Sequence, residues 1–171
     1  MKNNFLHLYF IDNTKNEYES KLDKILQENY STKLIRCHTG KPYLQNSTFG
    51  ISLSHSNKFT AVLVSSSTEI GVDIEAIQPL ENISTLSLFD KDEQNYLKKV
   101  EGKNFLETAY VLWTLKESYF KVFGKWIGSI HILESKGSRH NYKTYQILNM
   151  VVSMIYPKHL EGKLIQKLSE Y

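Results

Sequence analysis

Ile70-Gly71-Val72-Asp73-Ile74-Glu75 is the stretch on which the fold turns. Side chains alternate faces along a β-strand. Ile70, Val72 and Ile74 therefore share an apolar face, and Asp73 and Glu75 share the other. Two neighbouring carboxylates raise each other's pKa, and a divalent cation bound through hard oxygen ligands relieves that conflict. A solvated strand edge carries the same pattern, so the hexapeptide alone leaves both readings open.

Working back towards the N-terminus, Phe59 to Val64 is a continuous apolar run bounded by polar residues, which predicts a buried strand. Phe49 to Leu53 predicts a short strand running into Ser54-His55-Ser56-Asn57. Thr39-Gly40-Lys41-Pro42 is turn chemistry. Tyr18, Leu22, Ile25 and Leu26 recur at helical spacing within Glu17 to Glu28, and Phe5 to Ile11 reads as a first strand.

Working forward, Asp90 with Glu93 forms a capping-box pattern that opens a helix through about Lys99. Asn104 with Glu107 predicts a second start, for a helix ending at Phe123 against Gly124. Tyr142 to Leu148 and Val151 to Tyr156 read as a hairpin. Leu160, Leu164, Ile165 and Leu168 predict a C-terminal helix face. Strands and helices mix without strict alternation, which argues for an α+β fold rather than a doubly wound sheet.

With 171 residues, 41% apolar and 12% aromatic, the chain can bury a core as one domain or two small lobes. The net charge of +3, nearly all from lysine with Arg36 and Arg139 the only arginines, falls short of the basic face of a nucleic-acid binder. Cys37 is the single cysteine; it excludes an intrachain disulfide, is expected to be a buried thiol, and suits a cytoplasmic protein. Met1 to Ile11 alternates polar and apolar residues and lacks a signal peptide's apolar core. No run approaches the ~20 apolar residues of a membrane span.

Three further elements can carry chemistry. Trp113, Glu117 and Lys121 lie four apart and share a helix face, as an ordinary Glu–Lys surface pair also does. Ser54-His55 can hydrogen-bond a phosphate, but adjacent strand residues face opposite ways, which disfavours a Ser–His dyad. Gly40-Lys41-Pro42 offers a point charge and close backbone approach, or a plain turn. No P-loop, Gly-x-Gly-x-x-Gly or zinc spacing occurs.

The order of these elements carries more than each one alone. Gly40-Lys41-Pro42, Ile51-Ser52-Leu53-Ser54-His55-Ser56, Ile70-Gly71-Val72-Asp73-Ile74-Glu75, Phe89 with Glu93, and Trp113-Thr114-Leu115-Lys116-Glu117-Ser118-Tyr119-Phe120-Lys121 together resemble the 4′-phosphopantetheinyl transferase superfamily. Length and Gly-Lys-Pro point to its surfactin-type branch. The resemblance implies two pseudo-symmetric α+β lobes, residues 1–78 and 79–171, with the active site in the cleft between them and a monomeric protein. It implies that Asp73, Glu75 and Glu117 hold Mg²⁺ (or Mn²⁺) on the pyrophosphate of coenzyme A, and that Lys121 contacts that pyrophosphate. Ser54 and His55 would lie near the 3′-phosphate, with Arg36 as a further candidate, and Lys41-Pro42 would line the adenine pocket. Glu117 would also take the proton of the incoming serine of an apo carrier protein, directly or through a metal-bound water. Apart from the resemblance, Leu80 to Leu88, with Ile83 and Leu86 between polar residues, reads either as a surface that meets the carrier or as a loop packed on its own core. The chain departs from the family where the N-terminal lobe is short in basic residues and where Trp126 replaces a glycine. The alternative is a degenerate, non-catalytic module that binds carrier protein or nucleotide.

Overall fold

The alternating and continuous apolar runs assemble into two sheets packed face to face, with a helix on each outer side. A computed structural model describes residues 4–13, 17–79, 88–100, 102–135 and 137–168. The first sheet holds β1 (Leu6–Asp12), β4 (Gly50–Ser56), β5 (Phe59–Ser65) and β9 (Leu164–Leu168) in the order β4-β5-β1-β9. The second holds β6 (Gly71–Ala76), β7 (His140–Ile147) and β8 (Met150–Pro157) in the order β6-β8-β7. A small hairpin joins β2 (Leu34–Arg36) to β3 (Pro42–Leu44).

Period-2 alternation sets the layers. Leu6 and Leu8 of β1 and Ala61 and Leu63 of β5 face the second sheet, where they meet Val72, Ile74, Val152 and Met154. The alternate residues Tyr9, Ile11, Val62 and Val64 face outward against α1 (Tyr18–Tyr30), which contributes Leu22, Ile25 and Leu26. On the far side of the second sheet lies α3 (Lys103–Phe123), with Leu115 packed near Ile155 of β8. The result is an α+β fold layered helix, sheet, sheet, helix.

Pairing crosses residue 78 twice. β6 pairs antiparallel with β8, and β9 pairs parallel with β1. That parallel pairing corrects the expected C-terminal helix. Gly162 sits at φ +73°, a left-handed conformation that interrupts a helix there. The chain makes only a 3₁₀ turn at Lys158–Leu160 before entering β9. Leu164 then packs on the core while Ile165 is exposed, an alternation that the helical count of apolar residues had concealed.

The capping box forms as expected at α2 (Lys91–Leu97), with Asp90 accepting from the backbone of Asp92 and Glu93. The second expected cap does not form. Gly102, at φ +61°, precedes α3 with no side-chain cap, and Asn104 lies inside the first turn. Gly124 closes α3 at φ +66°, as expected. A short α4 (His131–Glu134) follows. Cys37 is not buried; it is partly exposed on the β2–β3 turn, with Sγ 2.9 Å from Thr39 Oγ1. The segment 80–87, which includes most of the expected carrier-protein surface, lies outside the described residues. No helix among the described residues is long and apolar enough to cross a membrane.

Candidate active site

The two sheets meet edge to edge at β4 and β6, where side chains replace a backbone ladder. Ser52, Ser54 and Ser56 alternate along β4 and turn to β6. Ser52 Oγ accepts from the Val72 N–H at 3.0 Å, and Ser56 Oγ accepts from the Ala76 N–H at 3.0 Å. Between them Ser54 Oγ donates to Asp73 Oδ1 at 2.6 Å, and Ser56 Oγ donates to Glu75 Oε2 at 3.0 Å. The hydroxyls that stitch the seam therefore also aim its carboxylates.

A glycine brings the helix to this seam. A Cβ on Gly71 would lie 2.1 Å from the Ser118 carbonyl oxygen of α3, so only glycine allows the approach. Polar contacts fix the helix in register. Thr114 Oγ1 lies 2.6 Å from Ser153 Oγ, and Ser118 Oγ donates to the Ser153 carbonyl at 2.9 Å. In the last turn Lys121 Nζ donates to Asp73 Oδ1 at 2.8 Å and to the Val72 carbonyl at 2.9 Å.

Asp73, Glu75, Glu117 and Lys121 thus come together from β6 and α3. Burial first, and then the charge of Asp73, raise the pKa of Glu117, with Lys121 opposing. Glu75 is raised by the same two causes, opposed by Ser56, the Trp113 indole and Lys121. Asp73 is only 3% exposed, and its Oδ2 has no hydrogen-bond partner. Among the described residues no three acidic, histidine or cysteine side chains close on one point as a ready metal cage. The donor chemistry nevertheless fits a hard divalent ion: carboxylate oxygens in mutual conflict, one of them buried and unpartnered.

The remaining expected site residues lie on the β2–β3 hairpin and on β4. β2 and β3 place Arg36 opposite Pro42, with Lys41 at the turn and Gly40 at φ +84°. Ser54 and His55 face opposite ways, as strand alternation requires; Ser54 joins Asp73, whereas His55 Nδ1 lies 3.2 Å from Thr60 Oγ1. Tyr18 meets the His55 ring edge to face at 5.3 Å. Burial and the charges of Arg36 and Lys121 hold the His55 pKa below its ordinary value. Arg36 and Lys121 supply the positive charge around His55.

Sequence reasoning missed two parts. The serine ladder had a signal, since polar residues at 52, 54 and 56 interrupt an otherwise apolar strand at period 2. The other part is a buried ion pair beside Glu117. Lys116 Nζ lies 2.8 Å from Glu93 Oε2, with side chains 1% and 2% exposed. Lys116 also donates to the Ile127 and Gly128 carbonyls, and Glu93 Oε1 accepts from the Ile130 N–H. The pair pins the segment that walls an open pocket of about 680 Å³, lined by Glu117, Trp113, Trp126 and Phe89 among others. Trp126 packs with its ring 5.7 Å from that of Trp113.

Comparison with known proteins adds a family match. Residues 69–152, which run from just before β6 into β8, match the model of the 4'-phosphopantetheinyl transferase superfamily. The chain is 27% identical over 125 residues to 4'-phosphopantetheinyl transferase gsp of Aneurinibacillus migulanus, covering 66% of this chain and 51% of that protein. It is 33% identical over 95 residues to 4'-phosphopantetheinyl transferase AcpT of Escherichia coli K12, covering 54% and 49% respectively. With 4'-phosphopantetheinyl transferase HetI of Nostoc the identity is 28% over 101 residues, covering 56% and 43%. The chain spans about half the length of these relatives.

Proposed function

We propose that this chain, whose residues 69–152 match the model of the 4'-phosphopantetheinyl transferase superfamily, transfers 4′-phosphopantetheine from coenzyme A to a serine of an apo carrier protein. The observation that carries the reading is the convergence of Asp73, Glu75, Glu117 and Lys121 across the β6–α3 contact, where Lys121 Nζ lies 2.8 Å from Asp73 Oδ1.

The serine oxygen attacks the phosphorus on the pantetheine side of the pyrophosphate. A new phosphodiester bond forms, the bond to the bridging oxygen breaks, and 3′,5′-ADP leaves. The serine proton passes to Glu117, the carboxylate that α3 brings to the charge of Asp73. Lys121 offsets charge on the diphosphate. Arg36 and His55 face the 3′-phosphate, with Lys41 and Pro42 beside the adenine. Ser54 and Ser56 hold Asp73 and Glu75 in place. Asp73, Glu75 and Glu117 would hold Mg²⁺, or Mn²⁺, which supplies charge neutralisation at the diphosphate when bound.

The helix–sheet–sheet–helix layering supports a two-lobed reading of the surfactin type, with residues 1–78 and 79–171 exchanging β6 and β9 between their sheets. One chain then supplies both sides of the cleft, so the protein works as a monomer; its substrates place it in the cytoplasm.

Incubation with apo carrier protein, coenzyme A and Mg²⁺ tests the reading by mass spectrometry. The carrier gains one phosphopantetheine, and Glu117→Gln slows the gain about 100-fold or more. Coenzyme A binding with no mass gain on several carriers would instead make the chain a non-catalytic binding module.

A further inference from the structure

A carboxylate as buried as Asp73 needs a counter-charge. In this structure the counter-charge is the chain's own. The Lys121 ammonium lies against Oδ1 and the Val72 carbonyl, Ser54 shares the same Oδ1, and Oδ2 stays buried and unpartnered. Glu75 and Glu117 both feel the Lys121 charge. The centre of the carboxylate group thus already contains a cation.

We propose that Lys121 is an exchangeable counter-ion, resting on the metal role of Asp73 in the reading above. It neutralises Asp73 in the metal-free protein and yields that position when a divalent cation arrives. A divalent ion on the unpartnered Oδ2 and an ammonium on Oδ1 of the same buried carboxylate repel each other, which loosens Lys121 from Asp73. Lys121 can leave at small cost. Its side chain is 26% exposed, it sits in the last turn of α3, and its long flexible stem moves without moving the helix. A diphosphate gives the displaced ammonium a new partner. Divalent cation and diphosphate therefore bind with positive coupling, each strengthening the other by the same factor.

The test uses Mn²⁺ alone as the probe, on the full chain, read by electron paramagnetic resonance without any substrate. Lys121→Gln, which removes the competing charge, binds Mn²⁺ at least about fivefold more tightly than wild type, the lower end of ordinary site–site coupling. Lys121→Arg, which keeps the charge, does not. On the wild-type protein, acetylation of Lys121 by an amine-reactive reagent, measured by mass spectrometry, rises when Mg²⁺ is added; this readout stands if the glutamine variant fails to fold. Equal or weaker Mn²⁺ binding by Lys121→Gln, or acetylation indifferent to Mg²⁺, overturns the exchange. Asp73→Asn separates the two levels. If it binds Mn²⁺ as wild type does, the metal reading falls and the exchange with it. If it loses Mn²⁺ while Lys121→Gln gains nothing, only the exchange falls.

Discussion

Two lysine–carboxylate pairs sit on the same helix, five residues apart, with the same 2.8 Å separation, yet they differ in almost every other respect. Lys116–Glu93 is saturated. Its ammonium meets a carboxylate and two carbonyls, and its carboxylate accepts from Lys116 and from the Asp90 and Ile130 N–H groups. Lys121–Asp73 is unfinished. One carboxylate oxygen lacks a partner, the lysine is partly exposed, and further carboxylates stand beside it. A closed pair fixes a segment in place, while an open pair keeps capacity for a ligand. The same residue types serve structure or chemistry according to how many of their hydrogen-bonding sites the fold consumes.

Breaking the closed pair should have the largest effect on stability. Lys116→Met leaves Glu93 charged and buried, which costs about 3–5 kcal/mol; pairing it with Glu93→Met restores most of the loss in urea denaturation. Lys121→Gln in the same assay costs less than Lys116→Met, because the lysine is itself partly exposed, glutamine keeps a donor within reach of Asp73, and Ser54 still donates to Oδ1. Similar losses from the two lysines would erase the distinction.

Gly71→Ala comes next, since it drives a Cβ into the Ser118 carbonyl and pushes α3 away from β6. A loss of about 1–3 kcal/mol is expected from overpacking. Divalent-cation binding should weaken as well, because Glu117 and Lys121 move off with the helix. Unchanged stability and unchanged Mn²⁺ affinity would show that the open pair does not depend on this contact.

The smallest effect concerns His55. Burial and the charges of Arg36 and Lys121 depress the His55 pKa. The unfolded chain therefore holds this proton more readily, and His55 lowers stability as pH falls below about 6.5. A bound polyphosphate reverses the local field and raises the His55 pKa. Coenzyme A should bind more tightly as pH falls from about 8 towards 6, levelling off below the depressed pKa of the free protein. Isothermal titration across that range should show the slope, and His55→Gln should flatten it.

Much of the open pair was legible before any fold was known. Asp73 and Glu75 share a strand face because strands have period 2, and Glu117 and Lys121 share a helix face because they are four apart. The closed pair was not legible. Glu93 reads as half of a capping box, which it is, but nothing local says that its carboxylate also meets Lys116 from another helix. The hydroxyls of Ser54 and Ser56 read as a strand end beside a histidine that can bind phosphate, and Ser52 as part of the strand before it. They are instead the stitching between two sheet edges, a role that exists only once the edges meet.

The C-terminus marks the same boundary. Leu160, Leu164, Ile165 and Leu168 suit a helix by spacing, but Gly162 breaks it and β1 offers an open edge that the segment can complete. Local pattern by itself determined which residues face together on each element, because side-chain direction follows from the backbone period. Only the tertiary structure decided which faces meet. Edge pairing, the close approach at Gly71 and the saturation of buried charge all depend on residues far apart in the chain, and no short window of sequence contains both partners.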